Sequence, residues 1–146
     1  MRSVFLVMIL ILTLTLGAAS GVASAQSADE TAINTRIEGY FAAPGTAAAA
    51  YFTENGVRAF GTNVVVGRAN IEKSMIESLA SGGGGEIMFT RHATRLLSPA
   101  TAIVHGAWEI PSATSPTNGH NIFTLVKEGN EWLIAANQIA PAAPAQ

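Results

Sequence analysis

The stretch LSPATAIVHGAW, residues 97–108, decides the fold of this chain. After the short loop at Ser98-Pro99, its side chains fall into two alternating sets, which is the pattern of a half-buried β-strand. The more apolar set is Ala102, Val104, Gly106 and Trp108. We therefore predict a strand over Thr101–Ile110 that pairs back on a strand over Glu86–Leu97.

Two more strands follow, over His120–Lys127 and Trp132–Ala140. Gly129-Asn130 lies between them, and this dipeptide suits a two-residue hairpin loop. Cross-strand neighbours in such hairpins share a face of the sheet. The two registers predict five facing pairs: Lys127 with Trp132, Phe123 with Ala136, Asn121 with Gln138, His92 with His105, and Phe89 with Trp108.

The segment before these strands has helical periodicity instead. A capping box at Ser27-Ala28-Asp29-Glu30 predicts the start of a first helix, which ends before Pro44-Gly45. The further predicted elements are a short helix over Ala47–Thr53, a hairpin of Val57–Phe60 with Val64–Val66, a helix over Ala69–Ala80, and a flexible connector at Gly82–Gly85. Helices followed by a run of strands indicate an α+β fold.

The first 25 residues have the order of a secretory signal peptide. Arg2 precedes an apolar run over Val4–Leu16, and Ala23-Ser24-Ala25 forms a cleavage site of the A-x-A type. The alternative is an uncleaved membrane anchor, but a run of about 13 residues is shorter than the ~20 that span a bilayer. We therefore predict a signal peptide over residues 1–25, a folded domain over 26–140 and a frayed tail over 141–146, in a secreted or periplasmic protein.

The 146 residues include 8 Lys and Arg, 10 Asp and Glu, and no Cys. Removal of the signal peptide takes away Arg2 alone among the charged residues, so the net charge becomes −3. Nucleic acids and anionic membranes both require clustered positive charge, so we expect neither as a partner of the mature chain. The only Asp, Asp29, lies next to the cleavage site, where we expect it to be mobile.

In this order of elements the chain resembles the NTF2-like superfamily, and within it the SnoaL-like/DUF4440 group. The segments that carry the resemblance are Ala32-Ile33, AYFTENGV at 50–57, GRANI at 67–71, LSPATAIVHGAW at 97–108 and EWLIAANQ at 131–138. Together they cover about residues 28–140. The resemblance implies a curved antiparallel sheet that wraps against three helices, a cone with an internal pocket, and homodimers that pair through the sheet.

The resemblance also implies which residues would carry isomerase chemistry. In ketosteroid-isomerase-like members the general base is an Asp in the first short strand, and that position aligns with Phe60. The second acid that stabilises the oxyanion aligns near Phe123, whereas the first-helix Tyr aligns with Tyr40. Since a phenol without a base is not a proton-transfer site, we assign no catalytic residue and expect no isomerase chemistry.

The three histidines, His92, His105 and His120, are 13 and 15 positions apart. The predicted register places the first two on the less apolar face of the sheet, where we expect a solvated or dimer-interface pair. The alternative is a metal site with His120 as third ligand. We favour the first interpretation and expect no metal and no cofactor. Glu109 shares a face with His105 and could form an acid–base pair with a histidine.

Asn121 and Gln138 are expected at the end of an apolar surface that includes Phe123. Mostly apolar walls with a few fixed polar groups are typical of a ligand pocket. The other residues expected to line it are Tyr40, Tyr51, Phe60 and Trp108. We therefore predict that the domain binds a small, mostly apolar molecule. Two alternatives remain open: an enzyme that acts on a polycyclic or ketone substrate through Tyr40 with a histidine or Glu109, and a dimeric interaction domain.

Overall fold

The computed structural model describes residues 25–81, 85–111 and 117–142. The predicted signal peptide therefore lies outside the described residues, except for Ala25. Residues 82–84 of the predicted connector and residues 143–146 of the predicted tail also lie outside them.

The described residues form three helices and one six-stranded sheet, which confirms the expected α+β fold. Helix α1 covers residues 25–42 and is followed by a 3-10 helix over Gly45–Tyr51. The remaining elements are β1 (Phe52–Phe60), β2 (Asn63–Val66), α2 (Arg68–Ala80), β3 (Met88–Ser98), β4 (Thr101–Ile110), β5 (Thr117–Glu128) and β6 (Glu131–Pro141). None of the helices in these ranges is both long and apolar enough to cross a lipid bilayer.

The strands lie in the order β2-β1-β6-β5-β4-β3. Neighbours are antiparallel except β1 and β6, which run parallel, so the sheet is mixed rather than wholly antiparallel. The parallel pair arises because the chain leaves the β1–β2 hairpin through α2 and returns as the β3–β6 meander. The last strand, β6, therefore lies inside the sheet beside β1.

The elements before the meander begin at other residues than predicted, and the differences matter most for α1 and β1. Helix α1 already includes residues 25 and 26, so Ser27 lies within it and does not cap it. The short helix is a 3-10 helix that ends at Tyr51, and β1 begins at Phe52 rather than at Val57. Phe52 is fully buried, and packing of its ring in the core favours the early start of the strand.

Asp29 ties the beginning of α1 to the sheet. Its Oδ1 atom accepts hydrogen bonds from Lys127 Nζ at 2.6 Å and from Trp132 Nε1 at 3.1 Å. Lys127 and Trp132 face each other across the β5–β6 hairpin, as predicted. These two hydrogen bonds, above all the one from Lys127, lower the pKa of the Asp29 carboxyl group. The expectation that Asp29 is mobile is therefore wrong.

A β-bulge in β6 changes the register of this hairpin. Leu125 pairs with Ile134, but the preceding residue, Thr124, pairs with Ala136, so Ala135 is an extra residue on β6. One extra residue in a strand exchanges the two faces to which the later side chains point.

The bulge decides which amide of β6 lies on the same face of the sheet as Asn121. Asn121 pairs with Ile139 and Phe123 pairs with Asn137, so both predicted pairs of this region are wrong. Gln138, predicted opposite Asn121, instead pairs with Ile122 and is exposed. A local bulge leaves no signal in the alternation of apolar residues here, since Ala135 and Ala136 fit either face.

Another bulge lies in β3, at His92. Arg91 pairs with Gly106 and Ala93 pairs with His105, which leaves His92 as the extra residue. The predicted pair of His92 with His105 is therefore wrong, whereas the predicted pair of Phe89 with Trp108 is confirmed.

The core lies between α1 and one face of the sheet, which we call the inner face. Among its buried residues are Ile33 and Ile37 of α1 and Val104, Leu125 and Ile134 of the sheet. Aromatic rings fill the middle of this layer, with centroid distances of 4.4 Å for Phe41–Phe89, 5.7 Å for Tyr40–Phe123 and 5.8 Å for Tyr40–Phe52. The centre of the predicted cone is therefore packed with side chains.

Candidate functional site

A buried chain of hydrogen bonds crosses the inner face. Asn121 Nδ2 donates to Asn137 Oδ1 at 2.9 Å, and Asn137 Nδ2 donates to the Tyr40 hydroxyl at 3.2 Å. The two asparagine residues are 2% and 1% exposed. The network joins β5, β6 and α1, and it fixes the orientation of both amides.

Three buried polar atoms on the inner face have no hydrogen-bond partner among the described residues: Asn121 Oδ1, Trp108 Nε1 and Arg58 Nε. Each has a strand neighbour that places it on this face. Arg58 pairs with Asn137 on β6, and Trp108 faces Gly119 two residues from Asn121. An unpaired buried polar atom costs about 1–3 kcal/mol, so three of them near one another mark an unusual region of the core.

Phe60 completes this region. It is the last residue of β1, pairs with Ile139 of β6 and remains 44% exposed. Its ring centroid is 6.5 Å from that of Trp108, which is only 5% exposed. We call Arg58, Phe60, Trp108, Asn121 and Asn137 the inner-face site.

The structure places the residues predicted to line the pocket in different parts of the fold. Phe60, Trp108 and Asn121 belong to the inner-face site, whereas Tyr40 and Phe123 lie in the aromatic core and Tyr40 reaches the site through Asn137. Tyr51 packs against Gly39, with the Arg36 guanidinium 4.6 Å from its ring centroid.

Gln138 does not join the other predicted residues. It lies on the opposite, outer face of β6, and Asn137 takes the position predicted for it. The sequence contains both amides side by side, so only the bulge at Ala135 decides between them.

Arg58 and Asn137 are the two site residues that sequence reasoning missed. A signal for Arg58 was present, because Arg58 and Phe60 are two positions apart in one predicted strand and so share a face. Placing Phe60 in the pocket therefore places Arg58 beside it.

The three histidines cluster on the outer face. Their ring centroids are 5.6 Å apart for His92–His105, 5.8 Å for His105–His120 and 6.4 Å for His92–His120. In the part of the chain that the structure describes, no three His, Asp or Glu side chains are arranged to hold a metal ion. Tyr40 lies across the sheet from all three histidines and from the exposed Glu109, so the acid–base pairs of the enzyme hypothesis are not formed.

A separate open depression of about 310 Å³ lies at the end of β3, β4 and β5. Of the predicted ligand-binding residues it contains only Trp108. Its remaining lining residues are Met88, Thr90, Ala107, Glu109, Asn118, Gly119, His120 and Ala142.

Comparisons with solved structures identify the fold. A ketosteroid isomerase-like protein from Erwinia carotovora atroseptica matches with a TM-score of 0.65 at 19% identity, over 79% of this chain and 94% of that chain. An NTF-2 like protein of unknown function from Shewanella oneidensis matches with a TM-score of 0.61 at 15% identity, over 79% and 98%. A protein of unknown function with a cystatin-like fold from Nostoc punctiforme matches with a TM-score of 0.65 at 10% identity, over 80% and 92%.

These likenesses establish that the chain has the NTF2-like fold. A scan against protein-family models and a search of curated proteins find no match to the sequence. At such low identities the matched structures carry information on the fold alone, and the function has to be argued from the inner-face site.

Proposed function

We propose that this chain is an exported domain of the SnoaL-like kind that binds a small, mostly apolar molecule at the inner-face site. One observation supports this most: two nearly fully buried side chains, Trp108 and Asn121, each keep a polar atom without a partner. A ligand oxygen that accepts from Trp108 Nε1 would satisfy this donor, and a ligand hydroxyl would in addition donate to Asn121 Oδ1.

The surroundings favour an apolar ligand with few polar groups. Phe60 and the Trp108 ring supply aromatic surface, and Ile139 lies between Phe60 and Asn121 in the sheet. The hydrogen bonds from Asn121 to Asn137 and from Asn137 to Tyr40 hold the free amide oxygen in place before a ligand arrives. Such preorganisation reduces the entropy cost of binding.

The two tryptophans allow a direct test. The chain has only Trp108 and Trp132, so a Trp132→Phe protein reports on Trp108 alone and a Trp108→Phe protein reports on Trp132 alone. We expect decan-1-ol or progesterone to shift the emission of Trp108 saturably and to leave that of Trp132 unchanged. A Trp108 emission that responds to neither probe, in a protein folded by circular dichroism, would contradict the proposal.

Export is the second part of the proposal and rests on the signal-peptide pattern of residues 1–25. We expect the full chain, expressed in a bacterial host, to be recovered outside the cytoplasm with Gln26 at its amino terminus. N-terminal sequencing checks this, and an uncleaved chain retained in the membrane fraction would contradict it.

A dimeric interaction function is favoured by the outer face of the sheet. Ile122 is 43% exposed there, between His105 of β4 and Gln138 of β6, and the outer face includes the small residues Ala107 and Ala136. We propose that this face pairs with a second copy of the chain. Light scattering should give a dimer mass for the parent protein and a monomer mass for Ile122→Glu.

The matched control for the dimer test is Thr62→Glu, which adds the same charge in the exposed turn between β1 and β2. This variant should remain dimeric. A monomeric parent protein, or a dimer that survives Ile122→Glu, would contradict the outer-face pairing.

A further inference from the structure

Arg58 carries a positive charge on the inner face that no ion pair within the described ranges compensates. It pairs in the sheet with Asn137, which is buried, and with Val65, which packs against the core. Its Nε atom is buried without a hydrogen-bond partner, and no ion pair among the described residues includes it.

Three other arginines, Arg36, Arg68 and Arg91, have structural partners. The Nε atom of Arg36 is also buried without a hydrogen-bond partner, but its Nη2 atom donates to the Ala50 carbonyl at 3.3 Å and its guanidinium lies over the Tyr51 ring. Arg68 Nε donates to the Phe52 carbonyl at 2.8 Å, and its guanidinium lies 3.7 Å from Glu54. Arg91, which is also on the inner face, lies 3.6 Å from Glu38 of α1. Arg58 differs from all three because it is directed to the inner-face site and its side chain forms neither a hydrogen bond nor an ion pair among the described residues.

The chemistry of this arrangement selects a particular ligand group. A guanidinium offers several N–H donors in a planar fork that matches a carboxylate. Trp108 Nε1 is a further unpaired donor on the same face, whereas the aromatic rings of Phe60 and Trp108 suit an apolar body. A neutral apolar molecule would leave the Arg58 charge uncompensated in a partly buried position, which is costly.

We propose that the inner-face site is specific for apolar carboxylates, and that Arg58 binds the carboxylate while Phe60 and Trp108 contact the hydrocarbon body. This inference rests on the proposed ligand-binding function and names the class of molecule bound. It assigns a specificity-determining role to Arg58.

Decanoate and decan-1-ol form the matched probe pair, since they share a ten-carbon chain and differ in charge. We expect the full-length protein to bind decanoate about tenfold or more tightly than decan-1-ol, by calorimetry and by Trp108 emission. Arg58→Gln should remove this preference by weakening decanoate binding about tenfold, while decan-1-ol binds as before. Arg58→Lys keeps the charge without the fork, so decanoate should bind with intermediate affinity.

Arg95→Gln is the matched control, because Arg95 is exposed and pairs with Ile103 of β4 away from the site. It should leave the binding of both probes unchanged. Equal affinities for the two probes, with Arg58→Gln affecting neither, would overturn the role of Arg58 and leave the binding function standing. If Arg58→Gln weakened the binding of both probes to the same extent, Arg58 would be a structural residue. If the parent protein bound neither probe, the proposed function itself would be overturned.

Discussion

Asn137 supports the inner-face site because both parts of its amide are hydrogen-bonded. Its oxygen accepts from Asn121 and its nitrogen donates to Tyr40, all within the core. We predict that Asn137→Ala lowers the free energy of unfolding by about 2–4 kcal/mol, since it leaves two buried polar groups unpaired and opens a small cavity. Urea unfolding followed by circular dichroism measures this.

The control for that prediction is the next residue in the chain. Gln138 lies exposed on the outer face, so Gln138→Ala should change the unfolding free energy by less than about 0.5 kcal/mol. Similar losses of unfolding free energy in the two variants would show that the hydrogen bonds of Asn137 do not contribute to stability.

Asp29 should make stability depend on pH in the acid range. Its pKa in the folded chain is lowered, mainly by the hydrogen bond from Lys127, so its contribution is complete above the ordinary pKa of an Asp and is lost as the pH falls through the lowered value. We predict that Asp29→Asn lowers the melting temperature at pH 7 and that the difference from the parent shrinks towards pH 2. Thermal unfolding at a series of pH values checks this, and a constant difference would contradict it.

At the scale of the elements, the close contact between β3 and β4 depends on Gly106. A Cβ atom at this position would overlap the Phe89 ring and would lie 2.5 Å from the Thr90 carbonyl oxygen, which belongs to the backbone and cannot rotate away. We predict that Gly106→Ala costs about 2–3 kcal/mol of unfolding free energy through overpacking.

Gly129→Ala provides the comparison for that variant. Gly129 has a φ of 62° in the β5–β6 turn, and a Cβ there would meet nothing within 4 Å. The Gly129→Ala variant therefore loses unfolding free energy through backbone strain alone, about 1 kcal/mol. A Gly129→Ala variant that loses more stability than Gly106→Ala would contradict the packing argument.

The elements also show which features can be predicted from sequence. The strand β4 has its predicted ends, and Lys127 faces Trp132 as expected, because alternation and a Gly-Asn turn fix them locally. Phe89 faces Trp108 as expected only because the extra residue at His92 restores the predicted register. The bulges at His92 and Ala135 were not predictable, since these residues satisfy the local pattern with or without an extra residue. The inward position of Asn137 therefore required the structure.

At the scale of the whole molecule, a bound ligand should stabilise the fold by mass action. A ligand present at 100 times its dissociation constant, and bound only by the folded chain, raises the unfolding free energy by about 2.7 kcal/mol. We predict that decanoate raises the melting temperature of the parent protein and raises it less for Arg58→Gln at the same concentration. Equal shifts of the melting temperature in both proteins would argue against carboxylate binding by Arg58.

The fold as a whole was more predictable than the site within it. The order of elements carries the NTF2-like resemblance, and the solved structures confirm that fold. The packing of the interior and the position of its unpaired polar atoms do not follow from the order of elements. The aromatic rings around Tyr40 and Phe123 turned out to pack against each other, and the unpaired polar atoms gather next to Phe60 instead.

The bulge at Ala135 keeps Asn137 in the interior although the segment from Ile134 to Asn137 is one residue longer than a regular strand needs. Loss of the Ala135 codon would straighten the strand and leave Asn137 on the same side. Related genes that differ by one triplet at this point would therefore encode the same buried amide, which makes this position tolerant of a change in chain length.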